Sequence, residues 1–372
     1  MLFKHTIYAL AFWAIFSNSV FSQDSITNLP ISRNIGLRYH TGIVIPHHAN
    51  MAYFINNYSR GTELTYGITN CNKDNWMRYF NYPEIGIGLF YNTFGSNDIY
   101  GSGISLYPYI QSTLFRSSRF LIRNKVAFGL GYATKPYDID INPNNHILGS
   151  HLNAYVGLGF YATYNTGNHW AINSNLSFNH LSNGAMANPN NGINTVTASI
   201  GVNYIFEGGL NPLVQKIHPP KSSINEILIV AGFGRSQSAL FNPNYYNSFT
   251  FSAAHMWHRS EKNAWGLGID LINYGAAPYV FNEFPTPASF SETLYVGVAG
   301  HYNIAMGKSV VFIQLGKYAL YQIKPKQMLY SKIGLRYNIT NHLLASFGVK
   351  ASFFKAEFLE FGIGYSFKYN RR

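Results

Sequence analysis

At 372 residues the chain is long enough for one large or two ordinary domains, yet only 11% of it is charged, against about 25% in an average soluble domain. With 29 Tyr, 28 Phe and 33 Gly, this composition suits a transmembrane β-barrel, whose outer band is apolar and edged by aromatic residues; taken alone it also admits a large soluble β-protein. The lone Cys71 excludes an intrachain disulfide and a cysteine-based metal framework, and the formal charge of +12 favours anionic partners. Nucleic acid is a poor fit, because no concentrated basic block accompanies that charge.

Lys4 and His5 precede an apolar run from Ile7 to Phe16, and Val20 and Ser22 follow as small residues. A basic start, a short apolar core and a small-residue exit predict a secretory signal peptide over residues 1–22, with cleavage before Gln23. The run is too short for a spanning helix, and no later segment offers the ~18 uninterrupted apolar residues that one needs. Any later crossing must therefore be made by strands.

Alternation with a period of two dominates the rest. Ile85, Ile87, Leu89 and Tyr91 alternate with Glu84, Gly86 and Gly88; Val126, Phe128, Leu130 and Tyr132 alternate with Ala127, Gly129 and Gly131. Leu359, Phe361, Ile363, Tyr365, Phe367 and Tyr369 repeat the pattern near the C-terminus. Each series gives one apolar face and one small or polar face, as a strand facing lipid on one side and a lumen on the other requires. Soluble sandwiches favour strands of about five or six residues, whereas many of these reach the length that crosses a bilayer.

The expected strands are 32–46, 60–70, 82–94, 98–112, 119–134, 150–165, 168–182 and 192–206, then 224–234, 247–259, 262–275, 288–304, 308–320, 328–339, 341–353 and 355–369. The fold class is therefore all-β, a transmembrane antiparallel barrel of 12–16 strands over residues 23–372. A single barrel is preferred over two, because residues 224–372 repeat the strand chemistry of 23–206. The segment 207–223, with Pro212, Pro219 and Pro220, reads as a periplasmic turn or linker.

The seventh strand departs from the pattern. Trp170, Ile172, Leu176 and Phe178 share its apolar face, and His180 and Ser182 continue that same face. Asn173, Asn175, Ser177 and Asn179 occupy the other. A polar pair on a lipid face is costly unless it lies near the headgroups and is mutually hydrogen-bonded. In the next strand Asn194 has the phase of Val196, Ala198 and Ile200, so a hairpin through 183–191 brings it beside His180. Two-residue spacing separates Cα atoms by roughly 6.5 Å, which lets the His180 and Ser182 side chains meet. His180 can then deprotonate Ser182 while Asn194 orients the imidazole.

The segment His180-Leu-Ser182-Asn183, followed by Pro189-Asn190-Asn-Gly192-Ile193, resembles the active-site segment of the lipid A 3-O-deacylases, the PagL-type outer-membrane esterases. That resemblance implies an outer-membrane enzyme of a Gram-negative bacterium, with lipid A or lipopolysaccharide as substrate and its site facing the outer leaflet. The lost group is the ester-linked acyl chain at the 3-position; Ser182 is the nucleophile and His180 the base, and no cofactor or metal is needed. Asn183 and the backbone N–H of Ala185 match the oxyanion-hole positions. The phosphates of such a substrate suit a cationic chain.

Two features depart from the family pattern. Asn194 stands where the family has an acidic residue, and the chain is about twice the length of the family's compact eight-stranded barrel. These departures keep open a porin-like or structural barrel with an inactive motif, and a hydrolase acting on another lipid ester. His47-His48 and His255-Met-Trp-His258 read as structural or surface residues, Glu84, Glu357 and Glu360 as lumen charges, and the Gly-x-Gly pairs as strand interior.

Overall fold

In the computed structural model the described residues are 31–370, apart from 48, 71–74, 168, 208–216, 240–241, 283–285 and 354. The signal-peptide expectation over residues 1–22, Cys71 and most of the linker fall outside them. Sixteen strands are present: β1 Ile31–Val44, β2 Ser59–Asn70, β3 Glu84–Thr93, β4 Ser102–Arg116, β5 Phe120–Ala133, β6 Leu152–Asn165, β7 Trp170–Ser182 and β8 Ile193–Glu207 come first. β9 Ile224–Ala239, β10 Asn242–His258, β11 Asn263–Tyr274, β12 Leu294–Met306, β13 Ser309–Leu320, β14 Leu329–Asn338, β15 Leu343–Ser352 and β16 Lys355–Asn370 follow. Among the described residues three short helices, α1 Ala49–Phe54, α2 Asn75–Tyr79 and α3 Ala277–Phe281, sit in loops, and none is long and apolar enough to cross a membrane.

The strands close into two antiparallel barrels of eight, not one of sixteen. β1 pairs with β8 from Arg33–Glu207 to Val44–Thr195, and β9 pairs with β16 from Ile224–Asn370 to Arg235–Leu359. The expected single barrel is thereby corrected, and the reason lies in the lumens. Eight strands enclose a space just wide enough for side chains to fill. In the first barrel Arg38 donates to Glu63 at 3.0 Å, Lys125 to Glu63 at 2.6 Å and Arg123 to Glu84 at 2.8 Å, while Tyr107 and Tyr109 donate to Glu63 and Glu84.

The second lumen repeats this chemistry: Lys332 pairs with Glu360, Lys350 with Glu357 and Tyr330 with Asp270. Glycine makes room for these rings; a Cβ on Gly88 would lie 2.4 Å from the Tyr107 ring. A wide aqueous channel, which a barrel of 14–16 strands would enclose, is replaced by two packed polar lumens. The charges expected at Glu84, Glu357 and Glu360 belong to those networks.

Outward faces are apolar, as the alternation requires: Leu37, Ile87, Leu130, Leu176 and Ile200 of the first barrel are exposed, as are Leu267, Val298, Leu315 and Ile363 of the second. Both termini of both barrels lie at one end, here the near end. Aromatic pairs mark it in each: Trp170 meets Tyr204 with ring centroids 5.0 Å apart, and Trp257 meets Trp265 at 4.4 Å. Such rings settle at headgroup level in transmembrane barrels.

The barrels touch at three heights. At the near end Tyr79 donates to Glu261 at 2.9 Å, and the Lys262 ammonium lies 4.2 Å from the Phe80 ring centroid. At mid-height Phe128 of β5 meets Phe347 of β15 at 5.6 Å. At the far end β9 and β10 extend beyond the expected 224–234 and 247–259. Their added residues, among them Arg235, Ser236, Gln237 and Tyr245, are polar enough to read as loop, but they continue the β9–β10 pairing, and Gln237 reaches the first barrel.

Candidate active site

β7 rises to the far end with its odd residues in the lumen and its even residues outward. His180 and Ser182 are its last outward residues, both half-buried. Their neighbours in register on β6 are Val156 and Ala154, beyond which lie Phe128 and Leu130 of β5. The polar pair is therefore set into an apolar sheet face. Across β8, His180 is in direct register with Asn194.

The three side chains form one hydrogen-bonded row. His180 Nδ1 lies 2.7 Å from Asn194 Oδ1 and His180 Nε2 lies 2.8 Å from Ser182 Oγ. Asn194 Oδ1 can only accept, so Nδ1 carries the proton and Nε2 is left as the acceptor for the Ser182 hydroxyl. A neutral Asn thus fixes the tautomer that a general base needs, through hydrogen bonding alone. Gly192, at φ +74°, lets the chain turn close over the imidazole: a Cβ there would stand 2.6 Å from His180 Cε1.

Behind Asn194 stands His47. Its Nε2 lies 2.8 Å from Asn191 O, and its Nδ1 is 3.4 Å from both Asn194 Nδ2 and Ile45 O. It arrives there because β1 pairs with β8 and the chain runs on past Val44, with Ile45 N donating to Asn194 O at 2.8 Å. The sequence reads His47 as a structural or surface residue, and it is exposed; its place behind Asn194 follows from closure of β1 on β8, which nothing local to it signals. His48 lies outside the described residues. His255 faces Tyr369 at 2.7 Å and His258 faces Glu226 at 2.6 Å, both in the second barrel. Among the described residues no three His, Cys, Asp or Glu side chains gather as metal ligands would.

The loop after Ser182 is built by Asn183. Its backbone N–H donates to Asn190 Oδ1 at 2.9 Å, and its side-chain amide donates to Ser150 Oγ at 2.9 Å and Ala187 O at 2.8 Å. Both amide hydrogens are engaged, so in this geometry Asn183 braces the loop rather than pointing a free donor outward. Gly184 and Ala185 follow with φ of +63° and +66°. The left-handed region costs a residue with a Cβ about 1–2 kcal/mol, so Ala185 is held there by its surroundings. Among the described residues no acceptor pairs with the Ala185 N–H, while its carbonyl accepts from Gln237 N of the second barrel at 3.0 Å.

Fold and geometry together define a class: a transmembrane β-barrel with a Ser-His-Asn hydrogen-bonded row on its outward face. Residues 60–203 match the family model of lipid A 3-O-deacylase (PagL), and residues 225–369 match that of the acyloxyacyl hydrolase C-terminal domain. The first barrel carries the deacylase match and the second the C-terminal-domain match. No curated protein matches it by sequence.

Among solved structures it is similar to the crystal structure of the outer membrane enzyme PagL, at 14% identity and a TM-score of 0.34, over 45% of this chain and 97% of that one. It is also similar to a mutant of the Rh. blastica porin, at 9% identity and a TM-score of 0.18, over 91% and 100% of the two chains. The outer membrane protein Omp33 of Acinetobacter baumannii is similar at 8% identity and a TM-score of 0.17, over 92% and 100%.

Proposed function

We propose that this protein is an outer-membrane lipid A deacylase, a serine esterase that removes the ester-linked 3-O-acyl chain. Its near end faces the periplasm and its far end the outer leaflet, from which the acyl chains reach Ser182 laterally. The observation that carries the reading is the row Asn194–His180–Ser182, with contacts of 2.7 and 2.8 Å, on a face that is otherwise mostly apolar. Uncompensated polar groups are expensive on such a face, and a row built to activate a hydroxyl accounts for them.

In the proposed reaction His180 Nε2 takes the Ser182 proton as Oγ attacks the ester carbonyl. The negative charge of the tetrahedral intermediate is met by the Ala185 N–H, whose peptide is held by the loop that Asn183 braces. His180 then returns its proton to the sugar oxygen as the C–O bond breaks, leaving the acyl group on Ser182. Water, deprotonated by His180, releases the fatty acid and regenerates the hydroxyl. Asn194 holds the tautomer throughout but brings no charge to the imidazolium.

A lipophilic fluorophosphonate tests the nucleophile directly. Peptide mass spectrometry of the labelled protein should find the adduct on Ser182, and the His180→Ala variant should label far more slowly. An unlabelled Ser182 in folded, detergent-solubilised protein contradicts the mechanism.

A further inference from the structure

The segment that follows the nucleophile is not held by the first barrel alone. Gln237 lies near the far end of β9, and its side chain belongs to the outward series of Ile227, Ile229, Phe233 and Arg235, where lipid is expected. A Gln there needs partners, and it finds them on the other barrel. Asn188 N donates to Gln237 Oε1 at 2.9 Å, and Gln237 N donates to Ala185 O at 3.0 Å. Beside this pair, Leu359 of β16 packs on Gly184 so closely that a Cβ on Gly184 would stand 2.5 Å from it. The second barrel thus grips residues 184–188 by one backbone bond, one side-chain bond and one apolar contact.

We infer that the second barrel is a positioning element of the esterase site, with Gln237 and Leu359 setting the left-handed turn at Gly184–Ala185 so that the Ala185 N–H meets the developing oxyanion. The inference rests on the deacylase reading and deepens it. A peptide unit is planar, so anchoring a carbonyl on one side of a residue restricts the N–H on its other side through only two torsions. With both Asn183 amide hydrogens taken by Ser150 and Ala187, an N–H donor to the oxyanion depends on that restriction. An oxyanion donor acts by preorganisation, and a displacement of about 1 Å costs rate more than substrate affinity.

Gln237 is a positioning residue whose backbone bond to Ala185 O survives substitution. The test therefore removes the side-chain bond to Asn188, which holds the same turn, by comparing Gln237→Ala with Gln237→Glu in the full-length protein. The glutamate variant keeps an oxygen acceptor for Asn188 N–H. Steady-state hydrolysis of purified lipid A should show kcat reduced about tenfold in Gln237→Ala with KM within about twofold, and most of kcat restored in Gln237→Glu. Hydrogen exchange read by mass spectrometry should show the 183–188 amides exchanging faster in Gln237→Ala alone, while lumen-strand amides stay protected. Unchanged kcat and exchange in Gln237→Ala overturn the inference, as does a loss of activity that Gln237→Glu fails to restore. A wild type inactive on lipid A sinks the deacylase reading instead, and the exchange comparison still decides whether the second barrel holds the loop.

Discussion

The seventh and eighth strands of the two barrels differ where chemistry would be placed. In the first barrel the hairpin pairs His180 with Asn194, and Ser182 follows two residues on. In the second the corresponding hairpin pairs Val349 with Leu359, and Ala351 follows. Strand count, antiparallel closure, filled polar lumen and near-end tryptophans are shared. A few outward residues at a strand end therefore separate a candidate esterase from an apolar wall on one architecture, and function has to be argued from the site rather than the fold. The second barrel is not idle, because Leu359, which faces Val349 there, packs on the loop of the first.

The sharpest way to break the comparison is to make the first hairpin resemble the second. Ser182→Ala should lower kcat by about 10⁴-fold or more, and His180→Val by a similar factor, because triad members act as a unit. Fatty-acid release from purified lipid A measures both, and heat-modifiable gel mobility confirms that each barrel is folded. Retention of activity by either variant would place the chemistry elsewhere.

Asn194→Ala should cost about 10–100-fold, since it frees the imidazole without removing it. Asn194→Glu should exceed the wild type, since a carboxylate would stabilise the imidazolium as well as its orientation. Equal kcat for Asn194→Ala and wild type would remove Asn194 from the site. His47→Ala, which removes the side chain behind Asn194, should cost about two- to fivefold by the same assay. The smallest expected signal is electrical: planar bilayers holding the purified protein should show no steady pore-sized conductance, since buried side chains cross the middle of both lumens.

Much of this molecule was legible in its sequence, and the limits have physical causes. Strands showed clearly because alternation is a local consequence of an apolar outside and a polar inside, and the row from His180 to Asn194 showed because strand phase and one short hairpin fix it. Closure did not show: the pairings of Arg33 with Glu207 and of Ile224 with Asn370 join residues far apart in sequence, and no residue type marks them. The place of His47 behind Asn194 did not show for the same reason. Gln237 was missed because its polarity resembles that of a loop until the other barrel is beside it. Asn183 was read as an oxyanion donor from its place in the motif, whereas its amide hydrogens go to Ser150 of the β5–β6 loop and to Ala187 of its own loop, an arrangement that exists only once the two loops have folded together.

The central claim is that an outward-facing Ser182 trims lipid A. Mass spectrometry of lipid A from Gram-negative cells expressing the wild type or Ser182→Ala tests it most directly. The account predicts that one ester-linked acyl chain disappears from the 3-position with the wild type and is retained with the variant. Identical lipid A in both, with the wild type properly inserted in the outer membrane, would contradict it.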